Sequence, residues 1–517
     1  MPYTIGLHSA AAAFLSAGFA TQFSVAIVIC LVIVLVTAYH VEDGDEAPQS
    51  LPGPPFLSIF QLMNNTVIVL SGASARRAFF NAKGFDLTEG FKILSGAIPM
   101  VRGVTSGLQT KRISVIHKRL AAVQKNVPLS DLIPAILEDS RRVLESYGTS
   151  GTFDPFEKIY ELMFQTTVRC LSSAEIADDA ALVARLKTLY DRLDAGTTPA
   201  TVLFPWLPTP AMIKKLWATK EIYDIVVRAI EAREQSGISK NDTLQMLVDS
   251  GDEKLVIVGF IMGLLIAGAR ATGTTASWMI TFLGGHADFR QKAKTEVESL
   301  LGIYSDATTP SLSSRLAEIP LEVWESQAPV LDAIIRETLR LGQPHAAMRR
   351  NLGPEVYIND KLIPSGAYII YRTFSTFPEP PQLGNKDNQY ASTAFSDVHL
   401  DPTIYPDPWR FDPSRKEVES TANLPLPYVG WGVGKTTCLG TRLAKVELKL
   451  TVALFLLGFD HVLVDKNGNV PLAPPETKLE RHPSMPTAGR IVLRQVHAHI
   501  SRAVNYADHL PFSLFLV

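Results

Sequence analysis

A chain of 517 residues, 46% hydrophobic and 19% charged with a formal net charge of -2, has material for a large core. It lacks the charge imbalance of a disordered chain or of a general nucleic-acid binder, so small molecules and membrane remain as partners. Three cysteines, Cys30, Cys170 and Cys438, are too few and too scattered for a disulfide framework or a structural zinc site.

From Met1 to Val41 there is no Lys, Arg, Asp or Glu, and Phe23 to Tyr39 is almost wholly apolar. Extended back to Phe14, this run meets the roughly 20 residues needed to cross a bilayer. A retained anchor is expected. The rival, a cleaved signal peptide, lacks its basic n-region here. The acidic flank VEDGDE gives no orientation, because the charge rule counts Lys and Arg. Leu51 to Pro55, LPGPP, is a stiff break. The expected division is therefore 1–50, anchor and linker, and 51–517, a globular body.

From Ser74 to Leu301 the apolar spacing is mainly helical, and Cys170 falls where a buried helical residue would. A second apolar stretch, Leu255 to Gly285, would also span a membrane by length. Arg270 at its middle costs about 2.5 to 3.5 kcal/mol on insertion scales, so the central helix of a large soluble core is the expectation. After Arg350, the segments EVYIND, AYIIYRTF and GRIVLRQV carry β-branched and aromatic residues between Pro and Gly turns, which predicts short strands. The polar, proline-rich stretch Phe377 to Asp397 predicts an exposed loop.

Tyr428 to Gly440, YVGWGVGKTTCLG, packs four glycines around one cysteine and runs into a helical pattern. Glycines let backbone turn tightly and approach a flat ligand, and a helix start favours a thiolate, as a metal ligand requires. Gly434, Lys435 and Thr436 echo a phosphate-binding loop. Val429 stands where that motif needs glycine.

The loop resembles the heme-binding loop of cytochromes P450: Gly432, Gly434, Cys438 and Gly440 match, and Trp431 replaces the usual Phe. Two upstream segments strengthen the likeness. Glu337 and Arg340 form a Glu-x-x-Arg, and Pro408, Arg410 and Phe411 in YPDPWRFDPSR resemble the family's Pro-x-Arg-Phe. By this resemblance Glu337, Arg340 and Arg410 form a buried ionic network under the heme. It also implies that Arg349, with Arg350 as alternate, contacts a heme propionate, and that Cys438 is the thiolate ligand of the iron in heme b. Thr436 stands where many relatives place Arg or His. Lys111 to Arg119, KRISVIHKR, falls in the expected region of a helix at the heme edge but reads as a solvated face.

The implied fold is mainly α with smaller β-sheet regions (α+β), the cytochrome P450 fold preceded by a single N-terminal transmembrane helix. The implied activity is monooxygenation of a lipophilic small molecule, terpenoid or polycyclic, served by a separate NADPH-cytochrome P450 reductase. The implied place is the endoplasmic reticulum membrane, with the catalytic domain facing the cytosol.

On the central helix the family's acid-Thr pair, which serves proton delivery, is replaced by Arg270 and Ala271. Either Thr272 or Thr275 organises water in its stead, or the enzyme rearranges or dehydrates its substrate without normal oxygen activation. A non-catalytic heme sensor is the third reading. Arg270 itself is expected either in a structural ion pair or facing the distal pocket, where it would bind an oxygen-rich substrate group.

Overall fold

The computed structural model describes residues 57–62, 65–70, 73–87, 89–90, 110–198, 207–342, 347–358, 361–371, 396–415, 426–464, 468–470 and 490–495. The expected anchor, Cys30, the Leu51–Pro55 break and residues 377–395 of the expected loop lie outside them.

Helices form where the 3.6-residue spacing predicts them, and their ends carry the local chemistry that starts and stops a helix. The longer described helices are α1 (Ala73–Asn81), α2 (Thr110–Val123), α3 (Asn126–Glu145), α4 (Pro155–Leu171), α5 (Ala180–Ala195), α6 (Pro210–Ser236), α7 (Lys254–Gly285), α8 (Ala287–Tyr304), α9 (Pro329–Gly342) and α10 (Thr441–Gly458). Asp154 accepts the Phe156 N–H at the start of α4, with Pro155 at the first helical position, where its missing N–H costs nothing. Thr209 and Pro210 open α6 in the same way, and Gly237, at φ 64°, closes it.

Among the described residues α7 is the one helix long and apolar enough to cross a membrane. It lies in the largest core cluster, where Ile257, Phe260, Leu265, Met279 and Phe282 are buried, and it packs against α4, α6, α9 and α10. This is the central core helix that the sequence predicts.

The strands are β1 (Leu57–Leu62), β2 (Asn65–Leu70), β3 (Phe85–Asp86), β4 (Ser150–Phe153), β5 (Ala347–Asn351), β6 (Val356–Ile358), β7 (Lys361–Ile363), β8 (Tyr368–Tyr371), β9 (Phe459–Val464) and β10 (Arg490–Gln495). Five of them form a sheet in the order β1-β2-β8-β5-β3, in which β2 and β8 run parallel and the other pairs antiparallel. The register sets Ile369 of β8 between Ile68 and Arg349. A second core cluster, with Ile68, Phe79, Ile369 and Val429, ties this sheet to α1 and to the glycine-rich loop. Strands β6, β8 and β10 fall within the three segments predicted from β-branched content. The hairpin β1–β2 precedes the region in which helical spacing begins.

Candidate functional site

The loop Tyr428–Gly440 closes on itself. The Cys438 N–H donates to Trp431 O at 2.7 Å, and Gly432 and Gly434 sit at φ 70° and 61°, in the left-handed region that glycine takes at no steric cost. A Cβ at Gly432 would stand 2.5 Å from Thr436 O. Thr436 spends its hydroxyl on Val433 O at 3.1 Å, within a short 3-10 turn. Trp431 packs against the main core, and Gly440 is the N-cap of α10. The Cys438 thiol is therefore exposed beside a helix start, whose free amide groups favour an anion. Cys170 is the opposite case. It is buried on α4, as expected, and burial holds its thiol far above the ordinary range.

Behind the loop, Arg340 grips Glu337 through two nitrogens, at 2.7 and 2.8 Å, and both side chains are buried. Arg340 also donates to His399 O at 2.6 Å, Pro408 O at 2.5 Å and Arg410 O at 3.1 Å. The expected third member is corrected. The Arg410 side chain is 66% exposed and reaches only Asp412, at 3.7 Å. Its carbonyl turns inward to Arg340 and Arg415, and its side chain turns out. Arg415 takes the place instead, with Nε 3.2 Å from Glu337 Oε1. A second Pro-x-Arg, Pro413-Ser414-Arg415, was the available signal.

This network reaches the loop through residues that sequence reasoning missed. The Val429 N–H donates to His399 Nε2 at 3.0 Å, and the Tyr405 hydroxyl donates to Pro427 O at 2.9 Å. Burial, helped by Arg340 and Arg76, pushes the His399 imidazole down to about 3, so it stays neutral and can accept. On the other side Gln124, just past α2, donates to Leu439 O at 2.8 Å and accepts the Leu443 N–H at 3.1 Å. It pins the residue next to Cys438. No local motif marks a glutamine for that role. In the KRISVIHKR segment, Arg119 pairs with Asp252 at 2.6 Å, while the side chains of Lys111 and Arg112 lie outside those described.

Arg349 and Arg350 separate by strand alternation. Arg350 donates to Gly366 O at 3.3 Å and lies 3.9 Å from Glu89. Arg349 is 4% exposed, lies over the Phe79 ring and donates to Met348 O at 2.8 Å. Among the described residues no carboxylate pairs with it, and burial pulls its guanidinium down to about 10 despite Asp86. A buried guanidinium in that state is suited to a ligand carboxylate. An exposed thiol on a glycine-shaped loop and a buried arginine needing an anion together fit an iron porphyrin with propionates.

On α7 the row Gly263, Ala267, Ala271 and Thr275 is the least covered. Thr275 donates to Ala271 O at 2.8 Å. Thr272 is 5% exposed, donates to Gly268 O at 2.9 Å and lies 3.3 Å from Thr167 on α4. It therefore does not share the open row with Thr275. Arg270 is ion-paired with Asp194, at the end of α5, and both are part-exposed. Of the two expectations for Arg270, the ion pair is the one the geometry realises.

The family model described as "Cytochrome P450" matches residues 57–380 and 391–485. The chain is 26% identical over 443 residues to a cytochrome P450 monooxygenase, AacuE, of Aspergillus aculeatus, covering 83% of each chain. It is 28% identical over 410 residues to the cytochrome P450 monooxygenase dmxR5 of a Cryptosporiopsis species, covering 77% of this chain and 75% of the other. Human lanosterol 14-alpha demethylase is 27% identical over 425 residues, 80% of this chain and 75% of that one. A solved structure of retinoic acid-bound cyanobacterial CYP120A1 superposes with a TM-score of 0.63 at 21% identity, covering 86% of this chain and 92% of that chain, a likeness of fold. The chain belongs to the cytochrome P450 family, which implies a heme iron held by a cysteine thiolate, and it is an oxidoreductase.

Proposed function

We propose that this protein is a heme-thiolate monooxygenase that inserts oxygen from O2 into a neutral, lipophilic small molecule, with Cys438 as the axial ligand. The Cys438 loop carries the reading: an exposed thiol at a helix start, on a loop closed by its own N–H and braced by Glu337, Arg340 and Arg415. When bound, the thiolate-ligated porphyrin iron supplies the oxygen chemistry.

The chain's own residues bind and orient. Arg349 offers its fork to a propionate, with no Arg or His at Thr436 to assist. The open row at Ala267, Ala271 and Thr275 faces the substrate side, and of the two candidate hydroxyls it is that of Thr275, not the buried Thr272, that organises water there. Because Asp194 neutralises Arg270, no anionic group on the substrate is required. A terpenoid or polycyclic metabolite fits this apolar, uncharged setting. The demethylase named for lanosterol supports that class, and the fungal relatives named as monooxygenases support the reaction. The apolar segment Phe14 to Tyr39 favours a single-pass anchor in the endoplasmic reticulum membrane, a cytosolic catalytic domain and electrons from NADPH-cytochrome P450 reductase.

Arg270 and Ala271, standing at the usual acid and Thr positions, favour a second reading, an isomerase or dehydratase that needs no oxygen activation. The test is twofold. The carbon monoxide difference spectrum should show the red-shifted Soret band of a thiolate-ligated heme and lose it in Cys438→Ser. Metabolites should then be compared in a reductase-containing host with and without the enzyme. A new oxygenated product that needs NADPH and reductase is expected. A product formed without them favours the second reading, and heme binding with no turnover at all favours a sensor.

A further inference from the structure

Gln124 follows the last turn of α2 and is 8% exposed. Its side chain crosses to the cysteine loop and uses both ends of its amide. Nε2 donates to Leu439 O at 2.8 Å and to Leu120 O at 3.2 Å, and Oε1 accepts the Leu443 N–H at 3.1 Å. Two carbonyls on one side and an N–H on the other fix which end is which, so neither a glutamate nor a flipped amide reproduces the set. Leu443 is the third residue of α10, whose N-cap, Gly440, has no side chain to cap it. Gln124 therefore caps α10 from another helix, and it also holds the peptide unit that follows Cys438.

The hold runs both ways. Arg442, in the first turn of α10, donates to Gln124 O at 2.6 Å and to Asn126 Oδ1 at 2.8 Å, and it pairs with Glu325 at 2.5 and 2.9 Å. Gln124 is thus fixed at its main chain as well as its side chain. For helix capping alone the bond to the Leu443 N–H suffices, and a Ser, Thr, Asp or Asn at position 440 would supply it locally. The bond to Leu439 O adds nothing to the cap. It acts on the peptide unit between Leu439 and Gly440, and because a trans peptide is planar with its C=O and N–H opposed, fixing Leu439 O fixes the direction of the Gly440 N–H. Among the described residues neither the Gly440 nor the Leu439 N–H has a main-chain oxygen as partner. The cysteine sulfur lies two residues before Gly440, the separation at which a side-chain acceptor takes an N–H in a local turn.

We propose that Gln124 is a positioning residue for the ligand sulfur: by holding Leu439 O it presents the Gly440 N–H to Cys438 Sγ, and so sets how much negative charge the sulfur keeps for the iron. This rests on the heme-thiolate reading above. A hydrogen bond to a ligand sulfur draws charge from it, weakens its donation to the metal and raises the reduction potential. The same bond favours the ionised sulfur over the protonated one. Gln124 acts on the sulfur through one peptide plane, and no bond is made or broken in doing so.

The test uses the full-length heme-loaded protein and readouts other than turnover. These are the reduction potential by spectroelectrochemical titration, the iron–sulfur stretching frequency by resonance Raman, and the fraction of the carbon monoxide band that leaves its red-shifted position as the thiolate is protonated or lost. Gln124→Met, close in length but without the amide, should lower the potential, raise the iron–sulfur frequency and enlarge the converted fraction. Asn126→Ala removes a neighbouring tie of Arg442 without touching Leu439 O, and should leave all of these at wild-type values. Equal shifts in the two variants overturn this inference alone. So does a wild-type potential and iron–sulfur frequency in Gln124→Met that keeps the red-shifted band. Where Gln124→Met fails to fold or to bind heme, Gln124→Asn, a methylene too short for Leu439 O, decides in the same way. A wild-type holoprotein without the red-shifted band overturns the heme-thiolate reading together with it.

Discussion

Arg415 Nε lies 3.2 Å from Glu337 Oε1, on a carboxylate that Arg340 already holds with two nitrogens. Removing the carboxylate strands Arg340, whose side chain is 1% exposed. Glu337→Gln should therefore cost about 3 to 5 kcal/mol. Arg415→Ala, which removes the bond to Glu337 together with those to the Pro406, Asp407 and Arg410 carbonyls and leaves the Arg340 pair intact, should cost at least about 1.5 to 3 kcal/mol. Arg410→Ala should stay within about 0.5 kcal/mol, because its side chain is exposed and only its carbonyl is used. Thermal unfolding read alongside heme retention checks the ranking. Equal losses at Arg410 and Arg415 would contradict it.

Gly432 combines a left-handed backbone with a carbonyl 2.5 Å from where a Cβ would sit, whereas Gly434 has the same backbone but its nearest neighbour at 3.7 Å. Gly434→Ala should cost about 1 to 2 kcal/mol of backbone strain. Gly432→Ala must also displace the Thr436 carbonyl, and with it the turn that leads to Cys438. The expected outcome is a larger fall in the carbon monoxide band for Gly432→Ala than for Gly434→Ala at equal protein concentration.

Arg270 and Asp194 pair while both remain part-exposed, at 38% and 47%. An exposed pair contributes about 0 to 1 kcal/mol, so Arg270→Gln and Asp194→Asn should each unfold close to the wild type. Neutral lipophilic ligands should keep their affinity in Arg270→Gln, read from the heme spin-state shift. A large loss of affinity for such a ligand would return Arg270 to substrate binding.

Glu447 predicts a pH dependence of stability. Burial on α10 raises its carboxyl from 4.5 to about 7 in the folded protein, so the native state binds this proton more tightly than the unfolded chain does. The stabilisation is full below pH 4.5, declines as pH rises towards 7 and is gone above it. Its size is on the order of 3 kcal/mol. Denaturant unfolding across this range should show the decline in the wild type, and Glu447→Gln should lack that component.

The sequence by itself determined the elements whose signals are local. The nearly unbroken apolar composition of Leu255 to Gly285 and its length specify one long helix, and β-branched segments after Arg350 specify β6, β8 and β10. The spacing of Gly432, Gly434, Cys438 and Gly440 specifies a turn into α10. In each case the residues that carry the signal are those that make the structure. Only the tertiary structure decided which arginine meets Glu337, because Arg410 and Arg415 both follow a proline by two residues and the turn between them aims one side chain out and one in. The same holds for Arg270 with Asp194, for Gln124 beside Leu439, and for Glu447 with Thr166 and Thr167. These contacts join residues far apart in the chain. Whether they form depends on how helices cross and rotate in the core, and no local pattern of charges or hydroxyls encodes that.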